Sequence, residues 1–363
     1  MIEDKRCYIV ACGGTGGHIF PGLAVAQVLK QRGHRVAVWI SGRDIESVAI
    51  KGWDGEVLLT GARQLSIRTI LHMIRAFFRC LKGLHRLKPD ALLAMGSYSS
   101  LPPVLAAQIA KVPVFLHEAN SVPGKAVEFL SRFAVCTATS FKETGEWLQD
   151  RNVCCTGLPV REDLAGQPRF DEIPAETFVI FITGGSQGAL RLNQLVSQAL
   201  VLLNQDHPGQ FYVIHQSSKK DEESLRKLYA KENIPAMVSS FFPEMGRAYA
   251  SADFVVARAG ASTCFELSAL GKPALLVPLP SAVRNHQHFN ARVLVKSGGA
   301  DEGVQSELTP RSLMRYLANK LRNRPSLAHM SQAIRVLAVP DAAERVADEI
   351  ERHNSSHSQS VSP

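Results

Sequence analysis

Gly13-Gly14-Thr15-Gly16-Gly17-His18 holds the residue types best suited to chemistry in this chain. Four glycines in five residues remove Cβ atoms, so the backbone can approach a ligand closely. The helix expected after them, from Leu23 to Lys30, offers unpaired N–H groups and a positive dipole end to an anion. Position 19 is Ile, which breaks G-x-G-x-x-G, and no Lys-Ser/Thr pair closes a P-loop. A tight strand-to-helix turn without a ligand is the competing account. His18 titrates near neutrality and is the candidate base or acceptor orienter, or else a structural cap.

Three other groups have the chemistry to join it. Ser186, in Gly184-Gly-Ser-Gln-Gly188, carries a hydroxyl that can donate to a phosphate oxygen, or simply caps a helix. Arg161, in Gly157-Leu-Pro-Val-Arg161, has the planar fork that grips phosphate, or is a solvated linker charge. Glu266 closes Arg258-Ala-Gly-Ala-Ser-Thr-Cys-Phe-Glu266 and is expected in a first helical turn. There it suits the dipole, or accepts both hydroxyls of a ribose. The amides of Asn285-His-Gln287-His-Phe-Asn290 suit sugar hydroxyls, with a plain polar loop as the alternative.

These residues need a scaffold, and the apolar runs supply one. Tyr8–Cys12, Val36–Ile40, Ala91–Met95 and Val112–Leu116 read as short strands alternating with helices, which implies parallel βα units with ligand loops at the strand carboxyl ends. After a Pro/Gly-containing linker, Gly157 to Pro174, the pattern recurs at Phe178–Thr183, Phe211–Ile214, Ala252–Ala257 and Ala274–Val277. Gly13 and Gly184 lie 171 residues apart, so two similar α/β, doubly wound, Rossmann-like domains facing across a cleft are expected. Their bounds are 1–160 and 161–340, followed by a terminal helix at 341–352 that packs back toward the first domain. The Ser/His-rich stretch 353–363 is expected to be disordered.

The net charge of +8 is uneven: residues 1–160 hold 19 of the 41 Lys+Arg but only 12 of the 33 Asp+Glu. An anionic partner for the first domain follows. Between Glu56 and Asp90 there is no carboxylate, while Arg68, Arg75, Arg79, Lys82 and Arg86 form a stripe beside Ile67, Ile70, Leu71, Ile74, Phe77, Phe78, Leu81 and Leu84. Such a basic amphipathic helix can lie on an anionic membrane, gaining about 1 kcal/mol per basic residue, or can be a core-facing helix with a solvated face. The membrane set is Arg68, Ile74, Arg75, Phe78, Arg79 and Lys82. No apolar run reaches the roughly 20 residues of a span, and the strand near residue 7 leaves no room for a signal peptide. Seven cysteines without C-x-x-C spacing read as buried thiols in a reducing compartment.

GGTGGHIFPGLAVA, HEAN, GLPVR, GGSQGA, RAGAST…E and NHQ…NA together resemble, in order, the MurG family of GT-B glycosyltransferases, over about residues 8–350. The resemblance implies transfer of N-acetylglucosamine from UDP-N-acetylglucosamine to the undecaprenyl-linked muramyl-pentapeptide lipid I, forming the β-1,4 bond of lipid II for peptidoglycan. Carried over by motif, Thr15, Gly16, Gly17, Asn120, Arg161, Ser186, Phe242, Ala261, Ser262, Thr263, Glu266, Gln287 and Asn290 bind the sugar nucleotide. Gly14, Tyr98 and Ser100 meet the acceptor. The implied partner surface is the cytoplasmic face of the bacterial plasma membrane, held peripherally, and no nucleic acid is expected. Inversion by one in-line displacement without a metal or other cofactor is implied, in keeping with the lack of a D-x-D motif. The chain departs from the family pattern at Ser97, Leu101, Ala119, Val127, Glu128, Leu158 and Arg284. The rival readings are a relative using another sugar or lipid, a nicotinamide oxidoreductase and a non-catalytic membrane scaffold.

Overall fold

The computed structural model describes residues 5–64, 66–148, 151–185 and 189–359. The chain divides into two units. Unit 1 comprises Met1–Arg161 and Val339–Pro363, and unit 2 comprises Glu162–Ala338.

Unit 1 is built on seven strands: β1 (Cys7–Ala11), β2 (Arg35–Ile40), β3 (Glu56–Leu59), β4 (Ala91–Ala94), β5 (Val114–Glu118), β6 (Cys136–Thr139) and β7 (Val153–Cys155). All pair in parallel, in the order β3-β2-β1-β4-β5-β6-β7. Their apolar runs are continuous because both faces are covered. Tyr8, Val10, Val38 and Leu93 face one core with Ile19, Val25 and Leu29 of the helix Gly16–Gln31. Ile9, Ala37, Trp39 and Leu92 face the other, with Cys80 and Leu84 of the helix Ile70–Leu87 and Val104 of the helix Leu101–Ile109. The terminal helix Ala342–Gln359 adds Val346, Ala347 and Ile350 to the first of these cores. Arg32 pairs with its Asp348 at 2.7 Å and Glu351 at 2.6 Å.

Unit 2 has six parallel strands: β8 (Phe178–Thr183), β9 (Phe211–Gln216), β10 (Ala236–Ser239), β11 (Phe254–Ala257), β12 (Ala274–Leu276) and β13 (Ala300–Glu302). Their order is β10-β9-β8-β11-β12-β13. Phe178, Ile180 and Ile182 pack on Leu192, Val196 and Leu200 of the helix Leu190–Asp206 and on Leu313 and Leu317 of the helix Pro310–Arg322. In both sheets the order reverses beside the first strand, between β1 and β4 and between β8 and β11. Crevices for ligands open outside the carboxyl ends at such points.

Five expectations change. The first helix begins at Gly16, so Gly16, Gly17 and His18 are helical and the turn proper is Gly13–Thr15. Residues 162–174 are not a free linker, because Leu164, Phe170 and Ile173 are buried and the Arg247 guanidinium stacks 4.7 Å over the Phe170 ring. The last helix runs through Gln359, seven residues past Arg352, so the polar composition there does not prevent helix formation. Glu266 is the sixth residue of the helix Ala261–Leu270, beyond the first turn where the dipole acts most strongly. The thiols are all free, but Cys155 is exposed and Cys7 and Cys154 only half-buried.

Candidate active site

In unit 1 the glycine turn after β1 is braced by a carboxylate from the short helix that follows β2. Glu46 is fully buried. Its Oε1 accepts from the Gly14 N–H at 2.6 Å and the Ser41 hydroxyl at 2.5 Å. Its Oε2 accepts from the N–H groups of Gly42 at 2.6 Å and Arg43 at 3.0 Å. One side chain thus ties the exit of β2 to the glycine turn, and Gly14 spends its N–H on it. Gly13 is needed because a Cβ would lie 2.7 Å from the Ser41 nitrogen. The signal for Glu46 was present in Arg43-Asp-Ile-Glu46, where an acid three residues after the helix cap reaches back to the cap N–H.

His18 sits in the first turn of its helix, with Nδ1 3.1 Å from the Thr15 hydroxyl. Gly14 (φ 145°) passes beneath the ring, with Nδ1 3.1 Å from where its Cβ would be. Burial lowers the His18 pKa to about 4, and His117 and Arg43 push it the same way against the pull of Glu46. His117, buried at the end of β5, is lowered to about 4 by burial and lies 3.1 Å through Nε2 from the Gly157 carbonyl. Both imidazoles are therefore neutral at physiological pH.

The loop after β4 packs against the same turn. Ser97, where the family pattern favours glycine, has φ 63° and ψ 171°, a conformation natural to glycine. Its hydroxyl donates to the Gly13 carbonyl at 3.2 Å, as does that of Ser99. The buried Ser100 hydroxyl turns back to the Gly96 carbonyl, and Tyr98 is half-buried. Asn120 is half-buried, and both its backbone N–H (2.9 Å) and its amide (3.1 Å) donate to Glu118. Burial raises the Glu118 pKa against those bonds and one from Gly124. Arg161 belongs to unit 1, its guanidinium 4.6 Å above the Phe20 ring.

In unit 2 the corresponding turn rests on neutral groups. The Thr183 hydroxyl donates to Gln216 at 2.6 Å and accepts from the Gly185 N–H at 3.2 Å. Ser186 lies outside the described residues. Across the crevice the helix Ala261–Leu270 begins at the end of β11, with Ala261 buried and Ser262 and Thr263 half-buried. The Ser262 hydroxyl is out of contact with solvent and has no hydrogen-bond partner. Glu266 is half-buried and accepts from the Tyr249 hydroxyl at 2.8 Å. Asn290 is fully buried and donates to the Ala259 carbonyl at 3.1 Å, while Gln287 accepts from the Leu279 N–H at 2.9 Å. Phe242 is buried beside exposed Phe241. Arg258 is structural: its guanidinium donates to the carbonyls of Val277 (2.9 Å) and Pro278 (3.2 Å) and to Gln305 (2.6 Å).

Two parallel doubly wound units with glycine turns at both reversal points are the frame of a nucleotide-sugar transferase, and sequence kinship agrees. Residues 8–139 match the glycosyltransferase family 28 N-terminal domain, and residues 179–346 match its C-terminal domain. The chain belongs to glycosyltransferase family 28. Within that family it joins the MurG group. It is 37% identical, over 96% of its length and 98% of the relative's, to a Cupriavidus necator protein. A Halorhodospira halophila protein is 39% identical over 94% and 97%. Both are named UDP-N-acetylglucosamine–N-acetylmuramyl-(pentapeptide) pyrophosphoryl-undecaprenol N-acetylglucosamine transferase. The crystal structure of Acinetobacter baumannii MurG aligns with a TM-score of 0.75 at 31% identity, covering 96% of this chain and 100% of that one. The UDP-GlcNAc 2-epimerase of Neisseria meningitidis shares the fold alone, at 13% identity and a TM-score of 0.70. The chain thus has the GT-B fold of family 28, one Rossmann-like domain in each unit.

The amphipathic helix splits differently from the stripe read in the sequence. Met73, Ala76, Cys80, Leu84 and Leu87 are its buried face. Ile70, Leu71, Ile74 and Phe78 are exposed, the last two at 46% and 61%, in line with exposed Arg75, Arg79 and Lys82. Arg68 is exposed just before it. No helix among the described residues is long and apolar enough to cross a membrane. Cys136, Cys154 and Glu349 place three ligand-type atoms within 4.8 Å of one another, but on β6, β7 and the terminal helix rather than at the strand-end loops.

Proposed function

We propose that this chain transfers N-acetylglucosamine from UDP-N-acetylglucosamine to the muramyl sugar of undecaprenyl-linked lipid I, giving lipid II. The full-length likeness to relatives named for that reaction carries the reading. Unit 2 takes the donor. Its glycine turn has no carboxylate beneath it among the described residues, and the helix beginning at Ala261 brings N–H groups, Ser262 and Thr263 to the same crevice. Glu266, which accepts from the Tyr249 hydroxyl, is the carboxylate offered to the ribose. Unit 1 takes the acceptor at His18.

A neutral imidazole can accept the proton of the attacking hydroxyl, and the Thr15 contact at Nδ1 leaves Nε2 for that bond. The departing diphosphate needs polarised donors, for which the N–H groups of unit 2 and Ser186 serve without a metal. The exposed row of Ile70, Leu71, Ile74 and Phe78 with Arg75, Arg79 and Lys82 rests on the anionic cytoplasmic leaflet, where the lipid acceptor lies.

Turnover of UDP-N-acetylglucosamine with a soluble lipid I analogue, with and without EDTA, tests the reading. Transfer that survives EDTA is expected, and no transfer at all would refute it. His18→Ala should lower kcat at least ~10²-fold, and near-normal turnover would remove His18 as base. Changing Arg75, Arg79 and Lys82 together to Glu should abolish binding to anionic vesicles. Unchanged binding would end the membrane assignment.

A further inference from the structure

Unit 1 also has a concavity away from the crevice at His18. A cavity of about 750 Å³ opens beside the exit of β2, lined by Ser41, Arg43, Arg63, His72, Arg75 and Arg79 together with loop backbone. That is the size of a small-molecule site. No Asp or Glu lines it, and no ion pair engages any of the four arginines among the described residues. The site is shaped around a cation. Arg79 crosses Gly61 (φ 72°), where a Cβ would meet its guanidinium nitrogen at 2.8 Å, and donates to the Thr60 carbonyl at 3.4 Å. The buried Nδ1 of His72 has no hydrogen-bond partner. Four guanidinium forks converging on open volume are built for an anion carrying several charges.

We propose that this cavity holds the diphosphate of the lipid-linked acceptor. The assignment rests on the transferase reading above and adds where the acceptor's charge is held. Three observations favour it. Gly14 is buried and already donates its N–H to Glu46, so the first glycine turn has one donor fewer to offer a phosphate. The cavity adjoins the reaction point at one end, because Ser41 abuts Gly13 and the Arg43 charge reaches His18. At its other end Arg75 and Arg79 share their helix with exposed Ile74 and Phe78. Sugar at His18, diphosphate among the arginines and prenyl chain along the apolar row then follow in order along one surface of unit 1.

Arg63 is the residue to test, since it lies in the cavity but off the amphipathic helix. Arg63→Gln, alone and with Arg43→Gln, is compared with wild type in three measurements. Calorimetric titration with farnesyl diphosphate should show at least tenfold weaker binding in the double variant, with Arg63→Lys recovering part of it. The KM for a short-chain, detergent-soluble acceptor should rise at least tenfold while that for the sugar nucleotide moves less than twofold. Binding to phosphatidylglycerol vesicles should stay within twofold. Equal farnesyl diphosphate binding by wild type and variants, or an unchanged acceptor KM, overturns the proposal. So does loss confined to vesicle binding, which would assign the cavity to phospholipid headgroups. The titration decides even for a protein that transfers no sugar, so failure here and failure of the transferase reading are told apart.

Discussion

The two glycine turns occupy the same place in two sheets of the same order, yet they are braced in opposite ways. In unit 1 the short helix Asp44–Ala49, which follows β2, delivers Glu46, a buried anion that takes four hydrogen bonds and uses the Gly14 N–H. In unit 2 the strand beside β8 delivers Gln216, a neutral acceptor for Thr183. A carboxylate stands at one turn and an amide near the other, so the two turns differ in the charge placed beside their N–H groups. The proposed assignments follow that contrast, with the donor diphosphate at the neutral turn and the acceptor's charge outside the turn, among arginines. Glycine spacing alone does not predict anion binding, because the segment that follows the neighbouring strand decides what is left of the N–H groups.

Removing each brace tests that contrast, and Glu46 should matter most. Glu46→Ala leaves the N–H groups of Gly14, Gly42 and Arg43 without their acceptor and should cost about 3 kcal/mol in urea unfolding. A loss below about 1 kcal/mol would mean the carboxylate is dispensable. Acid provides the next largest effect. Burial holds the folded pKa of His18 and His117 near 4 and that of His215, bonded to Tyr229 and Asn193, near 3. The unfolded chain protonates these groups from about pH 6.5 downward while the native state resists, so stability is intact above that pH and falls as the pH drops toward 4. Each should remove about 2 kcal/mol between pH 7 and pH 5. Glu118, with its raised pKa, favours the native state on acidification and tempers the loss in unit 1. His215→Asn should therefore flatten the pH slope of unit 2, and an unchanged slope would exclude it as the source. The smallest effect belongs to the neutral brace. Gln216→Ala should cost about 1 kcal/mol and raise the KM for the sugar nucleotide a few-fold without touching that for the acceptor.

Sequence patterns revealed the interior strands well, because β1, β2, β4, β5, β8, β9 and β11 are buried apolar runs. The short strands β3, β6, β7, β10 and β13 escaped notice. β13, Ala-Asp-Glu, carries two acids and is strand only through pairing with β12. The start of the first helix was misplaced because glycine weighs against helix, whereas Gly16 and Gly17 are held by the turn that precedes them. Candidate side chains were legible as types but not as partners. Nothing near Glu266 in sequence announces the Tyr249 hydroxyl, and Glu46 reaches Gly14 across 32 residues. The arginine cavity was visible only as surplus charge, since Arg43 and Arg63 join Arg75 and Arg79 through folding alone.

The return of the chain to unit 1 sets an order of events during synthesis. Val346, Ala347 and Ile350 complete a core begun by Tyr8 and Val10, and Glu351 bonds Arg32 across 319 positions. At ~5–20 residues per second, the ribosome needs roughly ten to forty seconds to pass from the end of the first segment to that helix. At the end of that interval the sheet made first still lacks the helix that completes one of its apolar faces, while unit 2 has every segment it requires. The part of the molecule that is born first is therefore the part that finishes folding last.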